Sequence, residues 1–264
     1  MVEKIVSAIW IYPVKSLGGI QLSTATVLPK GLENDRRWML IDEQNQVMTQ
    51  RDYPAMALFK LSFDGLRFAI SHETGSMDLP FTFEPDAFTA IIWDDEVNVC
   101  EVSRQHSEWF SDKLGIKCRL VAFPEENPRP VDPRYAVYNE HVSLADGYPL
   151  LIIGQQSLDD LNARLTLPLP MNRFRPNIVF TGGEPYEEEG WENFRIGQSR
   201  FAGVKPCARC VMTTVDQDKG IKTGIEPLAT LATYRRKENK VYFGQNLLVL
   251  NAHSITVGDG IILE

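Results

Sequence analysis

The chain has 264 residues, of which 44% are hydrophobic and 23% charged, and a formal net charge of −8. That length can bury a sizeable core, as one large β-rich domain or two smaller ones. The acidic balance argues against general nucleic-acid binding and against a polybasic membrane anchor, so neither a nucleic acid nor a membrane is expected as a partner.

No apolar run reaches the ~20 residues of a membrane helix. The N-terminal ten residues read as a first strand rather than as a signal peptide. Four cysteines, Cys100, Cys118, Cys207 and Cys210, are too sparse for a disulfide scaffold, which makes a reducing cytoplasm the expected location.

Strand patterns run over residues 3–11, 20–28, 37–42, 47–50, 58–63, 66–71 and 90–100, with turn residues between them. That spacing suggests a β-barrel or sandwich. Pro13 ends the first strand, and residues 14–19 make a loop. Over residues 103–114, Trp109, Phe110 and Leu114 recur at helical spacing and Gly115 closes the run, which predicts one amphipathic helix. A strand follows over 118–123. Four prolines within residues 124–133 mark a linker, dividing the chain into 1–123 and 124–264.

The second half opens with a short strand and loop over 142–149, followed by an apolar run at 150–153. Ser157 is then expected to cap a helix carrying Leu158, Leu161 and Leu165 on one face. Residues 174–180 lead into a strand, and the acidic residues 184–190 read as a solvated loop. Pro227 suits the start of a helix reaching Arg236. Strands over 246–251 and 254–264 close the chain, the last broken at 258–260. The predicted class is mostly β with a few helices.

Reactive chemistry concentrates in residues 205–216. Cys207 and Cys210 stand three apart with Arg209 between them, and β-branched residues follow, as where a turn enters a strand. A guanidinium beside a thiol favours the thiolate, which binds metals or attacks electrophiles. Structural zinc needs four ligands, usually as two such pairs, and Cys100 and Cys118 do not form a second pair. A thioredoxin-like pair needs a helix after its first cysteine, whereas this context is strand-like. Two small residues in a strand-turn remain the structural alternative. Elsewhere, Lys15, Ser16, Arg36, Arg37 and Arg175 lie among apolar or turn residues. Singly each is an ordinary surface group; together such loops can clamp a phosphate. The four histidines are scattered, and no phosphate loop, nucleophile elbow or zincin motif is present.

Taken in order, seven stretches resemble the MOSC family, named for the C-terminal domain of molybdenum cofactor sulfurase. They are Tyr12-Pro-Val-Lys-Ser16, Asp35-Arg36, Ala145-Asp-Gly-Tyr-Pro149, Phe174-Arg-Pro-Asn-Ile-Val179, residues 205–216, Phe243-Gly-Gln-Asn246 and Val257-Gly-Asp259. The resemblance covers essentially the whole chain. Within the family it is similar to the enterobacterial reductase of N-hydroxylated bases and to the mitochondrial amidoxime reducing component. The fold so implied is a β-barrel MOSC domain with a smaller N-terminal β-barrel domain and a few peripheral helices.

The resemblance also implies a molybdenum cofactor (molybdenum–molybdopterin) between the two halves. Cys210 matches the family's thiolate ligand to the metal and is its implied catalytic residue, and a soft sulfur ligand suits this element. Lys15, Ser16, Arg36 and Arg175 match positions that hold the pterin and its phosphate. Gly147, Tyr148, Asn177, Arg209 and Asn246 match positions around the same cavity, with Arg209 expected as the electrostatic neighbour of Cys210. Cys207 has no assigned role. The implied activity is that of an oxidoreductase taking the oxygen of a small N-oxygenated substrate onto molybdenum. The enterobacterial relative carries an iron–sulfur domain after its MOSC domain, and this chain stops at Glu264. The expected electron donor is therefore a separate protein, ferredoxin-like or a flavin reductase. A sulfur carrier or cofactor-assembly module with a persulfide on Cys210, and a non-catalytic barrel that binds an anion, are the competing readings.

Overall fold

Alternating burial and one bulge set the first strand in place. In Ile5–Ile11 the buried side chains are Val6, Ile9 and Ile11. The inward set changes from an even to an odd position because the register shifts between Val6 and Ala8. One extra residue in a strand turns every later side chain to the other face. The structure, a computed structural model, describes residues 3–264.

This strand belongs to a nine-stranded sheet. Its order is Ile20–Leu22, Ile5–Ile11, Ile178–Thr181, Leu150–Gly154, Lys240–Asn251, Ser199–Ala208, Asn193–Ile196 and Ile261–Leu263, with Arg236–Lys237 also paired to Lys240–Asn251. Leu150–Gly154 and Ile178–Thr181 run parallel. A parallel pair needs a crossover, and the helix Gln155–Arg164 lies within it. A four-stranded sheet orders Trp38–Ile41, Arg119–Ala122, Asp95–Glu101 and Ala87–Ile92. Two three-stranded sheets and the two-stranded pair Val215–Asp216 with Ile221–Lys222 complete the mostly β fold, and the strand orders describe open sheets.

Strands from both sides of the proline-rich linker share hydrogen bonds. Ile5–Ile11 pairs with Ile178–Thr181, and Thr24–Leu28 pairs with Ser254–Thr256. The largest buried cluster likewise joins Ile9, Leu40, Ile152, Ile178 and Leu247. The loop after the first strand is thereby held against the second half. Among the described residues, no helix is long and apolar enough to cross a membrane.

Several local expectations hold. The helix Arg104–Leu114 is capped by Ser103, whose Oγ accepts the His106 N–H at 3.3 Å, and Gly115 ends it at φ 69°. Others need correction. Residues 20–28 break at Ser23 into two strands, and residues 47–50 contribute only a bridge at Val47. The helix expected from Pro227 to Arg236 is the short Leu228–Ala232.

Ser157 is not a cap. The helix starts from Gly154, and the Ser157 hydroxyl inside its first turn bonds Glu188 at 3.0 Å. The acidic segment is not simply a solvated loop either, because Glu187–Gly190 forms a 3-10 turn that buries Glu188 completely. The cysteine pair also sits the other way round. Cys207 lies near the end of the Ser199–Ala208 strand, and Cys210 opens the 3-10 turn Val211–Thr214.

Candidate functional site

Every residue that the family resemblance implies at the site lines one cleft of about 270 Å³, whereas Arg37 lies outside it and bonds Glu125 Oε2 at 2.7 Å. The loop after Ile5–Ile11 brings Lys15 and Ser16, the turn before Trp38–Ile41 brings Arg36, and the segment before Ile178–Thr181 brings Arg175 and Asn177. Gly147 and Tyr148 enter from the loop before Leu150–Gly154. Asn246 comes from Lys240–Asn251, with Nδ2 donating to Lys205 O at 3.0 Å. At Gly147 an added Cβ would meet nothing within 4 Å, so this wall opens directly into the space.

Three of these side chains stand on unfavourable backbone. Ser16, Arg36 and Arg175 have φ of 65°, 52° and 53°, a region that costs residues other than glycine about 1–3 kcal/mol each. The surrounding hydrogen bonds hold Arg36 there. Arg36 N donates to Tyr12 O at 3.0 Å, and its Nη1 reaches Asn177 Oδ1 at 3.1 Å and also pairs with the buried Asp35. Asn177 is fixed in turn, because its Nδ2 donates to Trp10 O at 3.1 Å and its Oδ1 accepts Leu151 N–H at 3.2 Å.

The cations are organised around one aromatic ring. Tyr12 is buried, with Arg175 4.1 Å and Arg36 4.7 Å from its ring centroid, a cation–π contact to each. Burial pushes the Tyr12 phenol up to about 12, and its hydroxyl donates to Pro176 O at 3.1 Å. Arg175 is only 5% exposed, and burial brings its guanidinium down to about 10. Its Nη1 donates to Leu17 O at 2.7 Å, while its Nη2 is buried without a partner. Lys15, also 5% exposed, is lowered to about 8 by burial despite its 2.5 Å ion pair with Asp146. Enclosure in the cleft opposes ionisation of Asp146, but Lys15 and Arg51 prevail and hold its carboxyl well below the usual range.

The sulfur atoms have different partners from those expected. Arg209 gives its Nη1 to Cys207 at 3.0 Å and its Nη2 to Phe174 O at 2.6 Å, so it is not the neighbour of the Cys210 sulfur. Arg51 supplies that contact, with Nε 3.1 Å from Cys210 Sγ. The same guanidinium bonds Asp146 at 3.1 Å and lies 4.0 Å from the Trp93 ring centroid. Sequence reasoning missed Arg51 and Trp93. It passed over Asp146 and Tyr12 although both lie inside quoted motifs. The signal available for those two was a charged or aromatic residue beside residues already singled out; Arg51 and Trp93 had no local signal.

The donor set suits an anion that brings its own metal. The Arg175 Nη2, the Arg209 Nε and the Tyr148 hydroxyl are buried and unpaired, and such donors are normally satisfied by a bound partner. Among the described residues there is no group of three or more His, Cys, Asp or Glu side chains that could hold a metal ion. A metal here would need ligands of its own in addition to Cys210. A molybdenum–molybdopterin cofactor, with its phosphate and its own sulfur ligands, meets both conditions.

Two family models match the chain: the MOSC domain over residues 139–262 and the MOSC N-terminal beta barrel domain over residues 3–117. The chain is 34% identical to mitochondrial amidoxime-reducing component 1 of Mus musculus, over 98% of this chain and 82% of that protein. With mitochondrial amidoxime reducing component 2 of Homo sapiens it shares 33%, over 96% of this chain and 82% of that protein. It is also 29% identical to molybdenum cofactor sulfurase of Arabidopsis thaliana, over 90% of this chain but only 32% of that longer protein.

Proposed function

The chain belongs to the MOSC family, with a MOSC domain and the MOSC N-terminal β-barrel domain, and on that premise we propose that it is a molybdenum-cofactor-dependent reductase of N-hydroxylated compounds. One observation carries the reading: a net acidic chain gathers buried cations with unpaired donors in one cleft with two guanidinium-bonded thiols, Cys207 on Arg209 and Cys210 on Arg51. The substrate class follows from the relatives named for amidoxime reduction. When bound, the cofactor supplies two-electron oxygen-atom transfer, by which an N–O substrate takes up two electrons and two protons and leaves as an amine and water.

In this reading Cys210 is the protein's ligand to molybdenum and Arg51 holds its sulfur in place. Arg175 and Lys15 bind the phosphate, where burial makes each charge–charge contact stronger than it is in water. Arg36 faces the pterin, steadied by Asn177 and Asp35. Ser16, Gly147, Tyr148, Arg209 and Asn246 form the remaining wall.

The test is metal analysis of protein made in a cofactor-competent host, followed by amidoxime reduction with an artificial electron donor. About one molybdenum per chain together with amidine formation supports the proposal; protein without molybdenum refutes it. The similarity to molybdenum cofactor sulfurase supports a second reading, in which Cys210 carries sulfur as a persulfide. Metal-free protein that releases sulfane sulfur from Cys210 would favour that reading instead.

A further inference from the structure

Trp93 sits where a glycine belongs. The strands Ala87–Ile92 and Asp95–Glu101 pair through Ile92 and Asp95, which leaves Trp93 and Asp94 as a two-residue turn. Such turns need a positive φ, and Trp93 has φ 56°. A bulky side chain is an outlier in this region, and it gains little burial in exchange, since Trp93 is 41% exposed. The fold therefore holds a large aromatic group at the surface against its backbone preference.

Two cations contact the indole, Arg51 and, with Nζ 5.7 Å from the ring centroid, Lys15. The Arg51 guanidinium lies 4.0 Å from the ring centroid and bonds Cys210 through Nε. The ring also borders two spaces, the inner cleft and an outer groove of about 920 Å³ whose walls include Tyr138, Tyr148 and Lys205. A groove of that size can take a drug-sized molecule. Tyr138 is 75% exposed along it.

We propose that Trp93 is the stacking platform of a substrate subsite in the outer groove, selecting flat, π-conjugated N-oxygenated bases over aliphatic ones. The reaction at the inner end rests on the reductase reading above; the binding does not. An offset-stacked ring on the indole gains from both apolar burial and the aromatic quadrupole, and an alkyl group gains only the first. Trp93 lines both spaces, so a substrate stacked on it lies at the border between the outer groove and the inner cleft.

Binding can be read without turnover. Benzamidoxime and acetamidoxime are titrated calorimetrically, with no electron donor, into the wild-type protein, Trp93→Gly and Trp93→Phe. The wild type should bind the aryl compound about tenfold more tightly than the alkyl one, and Trp93→Gly should lose about that factor for the aryl compound alone. Trp93→Gly should also melt at a higher temperature, because glycine accepts the positive φ. Trp93→Phe should retain aryl binding within about threefold, since it keeps a π face. Unchanged aryl binding in Trp93→Gly, equal loss for both compounds, or no aryl binding by the wild type would overturn the proposal. The two readings also fail separately. Aryl binding through Trp93 without amidoxime reduction under a chemical reductant removes the reductase and leaves the platform. Reduction with a KM for benzamidoxime unchanged in Trp93→Gly removes the platform and leaves the reductase.

Discussion

Arg51 Nε lies 3.1 Å from Cys210 Sγ, across 159 residues of sequence, while Arg209, next to Cys210 in the chain, bonds Cys207 instead. The cause is the extended backbone. The ladder with Lys240–Asn251 continues past Ala208, since Arg209 N donates to Val241 O at 2.8 Å. Residues two apart in such a segment share a face and adjacent ones do not. Cys207 and Arg209 therefore meet, and Cys210 faces the opposite wall.

That contact predicts the phenotype of Arg51→Lys. An ammonium keeps the charge but cannot bond the sulfur and Asp146 together as the planar fork does. Groups that orient a metal ligand typically account for about 10–100-fold in activity, and a loss in that range is expected here, with molybdenum content kept. The check is metal analysis beside amidoxime reduction; wild-type turnover in the variant would show that the bond has no role in the reaction.

The two cysteines should separate cleanly. Cys210→Ala removes the soft ligand and should abolish molybdenum retention. Cys207→Ala removes the partner of Arg209 Nη1 on the other face, and Arg209 keeps its bond to Phe174 O, so the metal should remain. Loss of molybdenum in Cys207→Ala but not in Cys210→Ala would reverse the assignment of the ligand.

What could be read from the sequence followed the range of the forces involved. Ser103 and Gly115 bound a helix by local hydrogen bonding and backbone preference, and both act in the structure as they read in the chain. The residues around Lys15, Arg36, Arg175 and Cys210 were legible as motifs, and the fold gathers them. Ser157 misled because its hydroxyl satisfies Glu188, 31 residues away, rather than its own helix. Arg51 and Trp93 were invisible for a similar reason. Neither has a periodicity or motif, and each acquires its environment only when the two halves of the chain pack together.

Glu188 gives a pH dependence of stability independent of any cofactor. It is fully buried, and burial pushes its carboxyl up to about 7 although Gly154 N–H and the Ser157 hydroxyl favour the ionised form. Below the ordinary value near 4.5 the group is protonated both folded and unfolded. Between there and about 7 only the folded chain keeps the proton, so stability falls as pH rises through this window and the loss is complete above it. The full difference is on the order of 3 kcal/mol. Urea midpoints at pH 5 and pH 8 should differ more for the wild type than for Glu188→Gln; equal differences would show that Glu188 does not titrate in this way.

Arg175 should set stability against cofactor retention. Its guanidinium is buried, with one nitrogen unpaired and a strained backbone beneath it. Replacing a poorly compensated buried charge by an apolar side chain of similar length is often stabilising, by about 1–4 kcal/mol. Arg175→Met keeps the same φ and can still pack on Tyr12, so the cofactor-free variant should melt at a higher temperature than the wild type. The same change removes the donors that would pair a phosphate, and molybdenum retention should fall sharply. A variant that melts higher yet still holds a full complement of molybdenum would mean that Arg175 is not the phosphate anchor. One that melts lower would mean that the Nη1 bond to Leu17 O outweighs the cost of burying the charge.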